Sequence, residues 1–393
     1  MAKNEYYSLT RQEKMKRLRE IILVFLKLGA TAFGGPAAHV AMMEEEIISK
    51  RKWISKEKFM DFYGATNLLP GPNSTELAIH LSYERGGILG LILGGVSFIL
   101  PAMLSVIILA VIYGRYGELP EIAGISYGIK PVVIAIILQA LIRLAKSVLK
   151  NIPVIVISII VVVLSFLGLN EILLLASAGL VIMLIENRRK LKYNKLPMFA
   201  TFFPVFSAGI IANSSKHISL PGVFLSFLKI GSVLYGSGYV LLAFMEADFV
   251  EKLGLITSEQ LIDAVSVGQI TPGPVFTTAT FVGYMIKGIP GAILATIGIF
   301  LPAFILVGAL NRLIPKLRES TWFGGFLDGL NGASLALMAV VNWKLGVSAI
   351  VDWPTVILAG VSFLLVFRFK INSAWLILGG GLIGYLLTLL AAV

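Results

Sequence analysis

A Pro-Gly-Pro triplet occurs twice in this chain of 393 residues. Residues 69–75 contain LPGPNST, and residues 271–278 contain TPGPVFTT. Proline has no backbone N–H and disfavours helical geometry in the residue before it, so each triplet interrupts a helix. The second proline of a triplet suits the first position of a new helix, whose free N–H groups then point into the break. We therefore expect half-helices to begin at Pro72 and Pro274.

The two triplets belong to an internal duplication. A shift of 202 residues aligns residues 25–78 with residues 227–280 without a gap, and 16 of the 54 pairs are identical. A second interruption is part of the repeat, because the FGGP at residues 33–36 corresponds to the YGSG at residues 235–238. Beyond a one-residue slip near residue 88, Pro101 aligns with Pro302.

The duplication divides the chain into four parts. Residues 1–20 form a polar N-terminal segment, and residues 21–186 form the first repeat. Residues 187–220 form a basic linker with a connecting transmembrane helix, and residues 221–393 form the second repeat. The N-terminal segment either lies on the membrane surface as an amphipathic helix or is a solvated tail.

The composition is that of a membrane protein. Apolar residues make up 57% of the chain, charged residues 14%, and the mean hydropathy is +0.88. Soluble domains average about 45–50% and about 25% for these two classes. The long apolar runs predict an all-α integral membrane protein rather than a barrel. With no cysteine, three histidines and no nucleotide-binding or catalytic signature, we expect no cofactor, no metal site and no enzyme activity.

The net charge of +11 indicates orientation rather than a nucleic-acid partner. Residues 50–58 carry five basic residues, whereas residues 246–259 of the second copy, which include most of the corresponding stretch, carry four acidic residues and one lysine. This inversion of charge predicts two repeats of inverted topology in the cytoplasmic membrane of a prokaryote, with the N-terminus inside. In the favoured topology residues 21–42 and 59–83 each enter the membrane and return, and residues 197–213 span it. The alternative is that each of these entries is two full spans.

Inverted repeats with broken helices are typical of transporters whose substrate site lies near the midplane. Helix N-termini, hydroxyl groups and glycine nests together suit an oxyanion. The predicted substrate-binding residues are the members of the four breaks, their hydroxyl groups and two lysines. They are Lys27, Gly34, Gly35, Pro36, Pro70, Gly71, Pro72, Asn73, Ser74, Thr75, Lys229, Gly236, Ser237, Gly238, Pro272, Gly273, Pro274, Thr277 and Thr278.

Four charged or titratable residues lie near the breaks, and three of them have two interpretations. Lys27 and Lys229 occupy matching positions two helical turns before a glycine break, where they attract the anion or extend to the nearer interface. Glu76 and His80 lie one turn apart on one helix and could relay a proton. For Glu76, a helix-cap or packing role is the alternative.

The FGGP at residues 33–36, the Trp53-Ile54 pair and the PGPNS at residues 70–74, with their second copy, strongly resemble the chromate ion transporter family. The resemblance covers nearly the whole chain, as in the long-chain, two-domain members of that family. It implies secondary active export of chromate, a small tetrahedral dianion. A transporter of sulfate or another anion is the alternative, and a channel or a membrane enzyme acting on lipid headgroups is less favoured. Besides the bilayer and the oxyanion, a homodimer is left open as a partner.

The second copy departs from the first at two places. Gly238 replaces Pro36, and Val275-Phe276 replaces Asn73-Ser74. These changes favour the first half as the more polar side of the site.

Overall fold

The computed structural model describes residues 5–117, 119–188, 218–236, 238–310 and 320–391. Every regular element in these ranges is a helix, which confirms the all-α prediction. The first repeat contains seven α-helices: α1 (Arg11–Thr31), α2 (Gly35–Glu44), α3 (Lys56–Thr66), α4 (Asn73–Tyr116), α5 (Pro120–Val148), α6 (Ile152–Phe166) and α7 (Glu171–Glu186).

The second repeat contains the same series in the same order. Its helices are α8 (Leu220–Val233), α9 (Val240–Met245), α10 (Ser258–Ile270), α11 (Thr278–Leu310), α12 (Thr321–Ala349), α13 (Trp353–Phe369) and α14 (Ser373–Ala391). Even the short π-helical turns correspond, since Glu45–Lys50 follows α2 and Glu246–Lys252 follows α9. The duplication inferred from 54 aligned residue pairs therefore extends through all the described helices.

The predicted interruptions are present in the backbone. Helix α1 ends at Thr31, and α2 begins after Gly34, which has a left-handed φ of 104°. Pro72 is the N-cap residue of α4 rather than its first residue, because the N-cap position accepts the extended conformation that Pro72 adopts. Pro274 likewise precedes a 3₁₀ turn, Val275–Thr277, that leads into α11.

Two further bends lie at equivalent places in the long helices. Gly86 and Gly87 leave helical geometry within α4, and Lys287 and Gly288 do so within α11. Each long helix is therefore two segments. The first segment starts at the Pro-Gly-Pro break, and the second segment is the long apolar run.

The repeats are interwoven rather than side by side. Helix α1 packs on α4, and α8 packs on α11, within their own repeats. In contrast, α5 packs on α13 and α14 of the second repeat, while α12 packs on α6 and α7 of the first. Glycines permit this exchange. A Cβ at Gly128 would lie 2.1 Å from the carbonyl oxygen of Gly380, and one at the equivalent Gly329 would lie 2.4 Å from that of Ala178.

Five of the described helices are long and apolar enough to span a membrane: residues 73–116, 120–148, 275–309, 321–349 and 373–390. Their outer faces expose large aliphatic side chains, such as Ile88, Ile108 and Ile297. An apolar surface of this extent is stable when it faces lipid. The predicted linker, apart from its ends, and the predicted span 197–213 lie outside the described residues.

Candidate functional site

The two Pro-Gly-Pro breaks are held by hydrogen bonds that cross between the repeats. The N–H of Gly71 donates to the carbonyl oxygen of Leu234 at 2.8 Å, and the N–H of Gly273 donates to that of Ala32 at 3.0 Å. Ala32 and Leu234 are the C-cap residues of α1 and α8, directly before the glycine breaks. The structure therefore brings together all four interruptions that the sequence predicts, in a reciprocal arrangement.

Glycine is required at the centre of both triplets. Gly71 has a φ of 139° and Gly273 a φ of 91°, in the region that other residues rarely adopt. A Cβ at Gly71 would lie 2.6 Å from Oε1 of Glu76, and one at Gly273 would lie 2.8 Å from Cβ of Ala102. Each backbone can reach the opposite repeat because no side chain intervenes.

The first turn of α4 leaves several polar groups unsatisfied. Pro72 makes no side-chain cap, so the first N–H groups of the helix lack the usual side-chain acceptor. The Thr75 hydroxyl and both oxygens of the Glu76 carboxyl group are fully buried and have no hydrogen-bond partner among the described residues. Unpaired buried polar groups are costly, and within a membrane they mark functional sites.

His80 lies one turn after Glu76 but is not hydrogen-bonded to it. Both nitrogens of the buried ring lack a partner in the described part of the chain. The ring is stacked on Phe62, with centroids 5.4 Å apart. The structure therefore places Glu76 and His80 on one helix without a hydrogen bond between them.

The equivalent turn of the second repeat satisfies its own hydroxyl groups. Thr277 donates to the carbonyl oxygen of Pro274, and Thr278 donates to that of Val275, both at 2.8 Å. Phe276 is buried where the first repeat has Ser74. Of the hydroxyl groups in these two equivalent turns, the one without a hydrogen-bond partner among the described residues, that of Thr75, thus lies in the first repeat.

The glycine breaks before α2 and α9 each place their first glycine beside an asparagine of the second repeat. A Cβ at Gly34 would approach Asn372, and one at Gly236 would approach Asn331, both at 3.4 Å. Gly35 has a φ of 77°, and a Cβ at this position would meet none of the described residues within 4 Å. Of the remaining predicted residues of these breaks, Ser237 lies outside the described residues.

Lys27 and Lys229 each form an ion pair with an acidic residue 19 positions later. Lys27 contacts Glu46 at 3.4 Å and is 59% exposed, whereas Lys229 contacts Asp248 and is 21% exposed. Asn73 of the predicted site donates to Asn67 at 2.8 Å. Within the described ranges, both lysines therefore bond to acids of the π-helical turns rather than to the Pro-Gly-Pro breaks.

Sequence reasoning did not identify two features of this region. The acids Glu46 and Asp248 could have been found, because an acidic residue follows each repeated lysine at the same distance. The contact between His39 and Ser74 could not, because the second repeat has Leu241 and Phe276 at those positions. Among the described residues, no three His, Asp or Glu side chains are grouped to hold a metal ion.

Comparison with known proteins agrees with this architecture. The family model described as "Chromate transporter" matches residues 19–183 and again residues 222–385, one match for each repeat. The chain is 32% identical to the chromate transport protein of Cupriavidus metallidurans over 372 residues, which cover 93% of this chain and 92% of the relative. It is 30% identical to the probable chromate transport protein of Synechococcus elongatus over 357 residues, which cover 88% and 89%.

A third relative, the chromate transport protein of Pseudomonas aeruginosa, is 28% identical over 377 residues, which cover 92% of this chain and 90% of the relative. No solved structure matches the chain. The family matches coincide with the two structural repeats and include all four helix breaks. The chain therefore belongs to the chromate transporter family.

Proposed function

We propose that the protein is a secondary active transporter that exports chromate across the cytoplasmic membrane of a prokaryote, with its N-terminus inside. One observation carries the proposal: the reciprocal Gly71–Leu234 and Gly273–Ala32 bonds join the breaks of both repeats beside Thr75 and Glu76, whose side chains have no hydrogen-bond partner among the described residues. The family of the chain and the names of its relatives support chromate as the substrate.

The oxyanion binds at the first turn of α4 in this proposal. The helix N-terminus and the Thr75 hydroxyl supply donors, and the N–H groups of Gly71 and Gly273 supply two more once they release their carbonyl partners. Lys27 and Lys229 attract the anion from their ion pairs without touching it. An oxyanion that enters the site thus competes for the N–H groups of Gly71 and Gly273, whose hydrogen bonds join the repeats. Binding of the anion is therefore linked to movement of one repeat relative to the other.

Alternating access follows from the reciprocity of these bonds. The two bonds exchange residues between the repeats as a two-fold axis requires, and we propose that this axis lies in the membrane plane. Opening towards one side then breaks one bond and retains the other. The basic residues 50–58 and the acidic residues 246–259 support this orientation.

Orientation is tested with the matched variants Glu57→Cys and Glu259→Cys in a chain that has no native cysteine. Both residues are exposed, and they correspond across the repeat. A membrane-impermeant maleimide should label the Glu259→Cys protein in intact cells and the Glu57→Cys protein only after permeabilisation. Labelling of both from outside would exclude the inverted arrangement.

Coupling is assigned to Glu76 and His80. Both side chains are buried within the membrane-embedded helix α4 and lack hydrogen-bond partners among the described residues. This is the condition of groups that exchange a proton rather than brace the fold. We propose that they relay or release a proton during the cycle, in addition to the membrane potential that drives a dianion outward.

Uptake of radiolabelled chromate into everted vesicles tests the function. We expect saturable uptake under an imposed gradient, and a KM raised about tenfold by Thr75→Val, which corresponds to about 1.4 kcal/mol, as expected for one lost hydrogen bond to a charged ligand. Uptake no greater than in empty vesicles would overturn the assignment of chromate. Saturable uptake of sulfate in its place would establish the alternative oxyanion.

A further inference from the structure

His39 connects three elements of the site through one imidazole ring. Its Nε2 lies 3.2 Å from the carbonyl oxygen of Ala32, and its Nδ1 lies 3.2 Å from Oγ of Ser74. The ring is 1% exposed and packs edge-on against Phe98. The same Ala32 carbonyl accepts the N–H of Gly273, so the ring contacts the bond that joins the repeats.

The chemistry of the two contacts determines where the ring proton lies. A carbonyl oxygen only accepts hydrogen bonds, so Nε2 carries the proton of the neutral ring. Nδ1 is then an acceptor, and the Ser74 hydroxyl must donate to it. In this state Ser74 presents only lone pairs to the first turn of α4, which is unfavourable for an oxyanion.

A second proton on His39 reverses the polarity of Ser74. When both ring nitrogens carry protons, Nδ1 donates to Oγ of Ser74, and the hydroxyl proton is released to bond elsewhere. The hydroxyl then serves as an anion donor beside the unpaired Thr75 hydroxyl. The added positive charge also favours an anion in a region shielded from water.

The other ionisable groups on the neighbouring elements have contacts of their own. On α1, Lys27 is paired with Glu46 of the π-helical turn after α2, and Lys50 of that turn also contacts Glu46. On α4, Glu76 and His80 have no bond to His39 among the described residues. The hydrogen bonds of the ring within the described residues are therefore those to Ala32 and Ser74.

We propose that His39 is a positioning residue of the transport site, which takes up a proton together with the oxyanion and thereby turns the Ser74 hydroxyl towards the anion. This inference rests on the proposed function and deepens it, because it names the residue at which a coupling proton meets the substrate. The second repeat has Leu241 and Phe276 instead, so the device belongs to one half only.

The proposal predicts a specific pH dependence of substrate affinity. Above pH about 7 a histidine is neutral, so each anion bound must bring a proton with it. Proton and anion binding then favour each other reciprocally. The KM for chromate should rise by up to about tenfold for each pH unit.

The test measures chromate KM in everted vesicles between pH about 7.5 and 9 at a fixed membrane potential. The variants are His39→Gln, which retains a donor and an acceptor without titrating, and Ser74→Ala, which leaves His39 and its bond to Ala32 in place. Tyr127→Phe is the control, because it removes a hydrogen bond to Asp352 at the surface. Every sample contains the same chromate, so any difference in slope belongs to the protein.

We expect the wild-type protein and Tyr127→Phe to show the full rise in KM, His39→Gln to show a flat KM, and Ser74→Ala to show a smaller rise, because only the charge of the ring then favours the anion. If His39→Gln fails to fold, Ser74→Ala alone still decides the matter. The full wild-type slope retained in Ser74→Ala or in His39→Gln, or a flat KM in a wild-type protein that transports chromate, would overturn the proposal for His39 and leave the proposed function intact. Absence of chromate uptake by the wild-type protein would instead reject the proposed function.

Discussion

The two Pro-Gly-Pro breaks share a backbone arrangement but differ in their side chains. In both, the central glycine donates to the last carbonyl before the glycine break of the opposite repeat. Beside the first break lie His39, Ser74 and Glu76, whereas Leu241 and Phe276 occupy the first two of these positions in the second repeat. Duplication has therefore preserved the scaffold, while the side chains beside the Pro-Gly-Pro breaks differ between the copies.

This difference separates what the repeat does as a framework from what it does as a site. Substitution of a framework glycine or proline should lower the stability equally in both halves, because the same backbone geometry recurs. Substitution of a charged or hydroxyl side chain should change stability or transport differently in the two halves. The following variants test that division, from the largest expected change in stability to the smallest.

The largest change is expected where α1 and α8 approach the long helices. A Cβ at Gly29 would lie 2.4 Å from the carbonyl oxygen of Phe98, and one at Gly231 would lie 2.3 Å from that of Ile299. We expect Gly29→Val and Gly231→Val each to destabilise the protein by about 3 kcal/mol or more, because backbone must move to admit the side chain. Thermal unfolding in detergent measures the loss.

Gly360→Val provides the control for these glycines, since a Cβ at Gly360 of α13 would meet none of the described residues within 4 Å. Its stability should stay within about 1 kcal/mol of the wild-type value. A large loss in Gly29→Val but not in Gly231→Val would contradict the view that the two halves share one framework.

The second prediction concerns Glu76, which has Thr278 as its counterpart. The buried carboxyl group of Glu76 has no hydrogen-bond partner in the part of the chain that the structure describes, and its removal relieves a desolvation penalty, so Glu76→Leu should raise the stability by about 2 kcal/mol. The same variant should lose proton-coupled chromate transport. Thr278→Val should instead lower the stability by about 1 kcal/mol, because Thr278 donates to Val275.

Unfolding temperature and vesicle uptake, measured on the same preparations, compare these two variants. A Glu76→Leu protein that is less stable than the wild type would show that the carboxyl group braces the fold. That result would favour the helix-cap or packing role of Glu76 over proton transfer.

The sequence predicted the framework better than the site, for a physical reason. Breaks at Gly34 and at the Pro-Gly-Pro triplets follow from local backbone restrictions, which do not depend on distant residues. The family resemblance was carried by the same residues and is confirmed. The reciprocal bonds of Gly71 and Gly273, in contrast, join residues more than 160 positions apart, and only the folded chain brings them together.

Side-chain partners were harder to predict still. The sequence marks Lys27 and Lys229 as unusual charges in apolar runs, but it does not show that they pair with Glu46 and Asp248 of the π-helical turns after α2 and α9. Periodicity does not reveal which of several nearby acids a lysine meets. The pairing depends on how α1 and α2 fold back on each other.

The third prediction uses the unequal burial of these two pairs. Asp248 would lose its ion pair with Lys229 in Lys229→Ala, so we expect a loss of about 2 kcal/mol. Glu46 retains Arg51 and Lys50 in Lys27→Ala, so the loss should stay below about 1 kcal/mol. Chemical or thermal unfolding of both variants measures the difference.

Transport by the same variants tests the role of the lysines in attracting the anion. If that role holds, both should raise the KM for chromate, more strongly at low ionic strength. An unchanged KM in Lys27→Ala would remove this lysine from the site and leave interface anchoring as its role.

The smallest effect is expected at a pair of equivalent helix caps. Asn151 caps α6 by accepting from the N–H of Val154, and Asp352 caps α13 by accepting from that of Thr355. Asp352 also accepts from the Tyr127 hydroxyl at 2.6 Å. The Tyr127 hydrogen bond, followed by that from the Thr355 N–H, lowers the pKa of Asp352 below its ordinary value of 3.8.

Because the pKa of Asp352 is lower in the folded chain than in the unfolded one, its contribution to stability is present above the unfolded value and is lost as the pH falls through the folded value. Asp352→Asn should therefore unfold at a temperature that depends less on pH between about 5 and 3 than the wild type does. Asn151→Asp should instead lose stability as the pH rises through this range, because the Asn151 amide donates to Glu186 at 3.1 Å and a carboxylate there would face the Glu186 carboxylate. If the two variants instead respond alike to acid, the caps belong to the shared framework, and the division between the repeats would be confined to the residues around the Pro-Gly-Pro breaks.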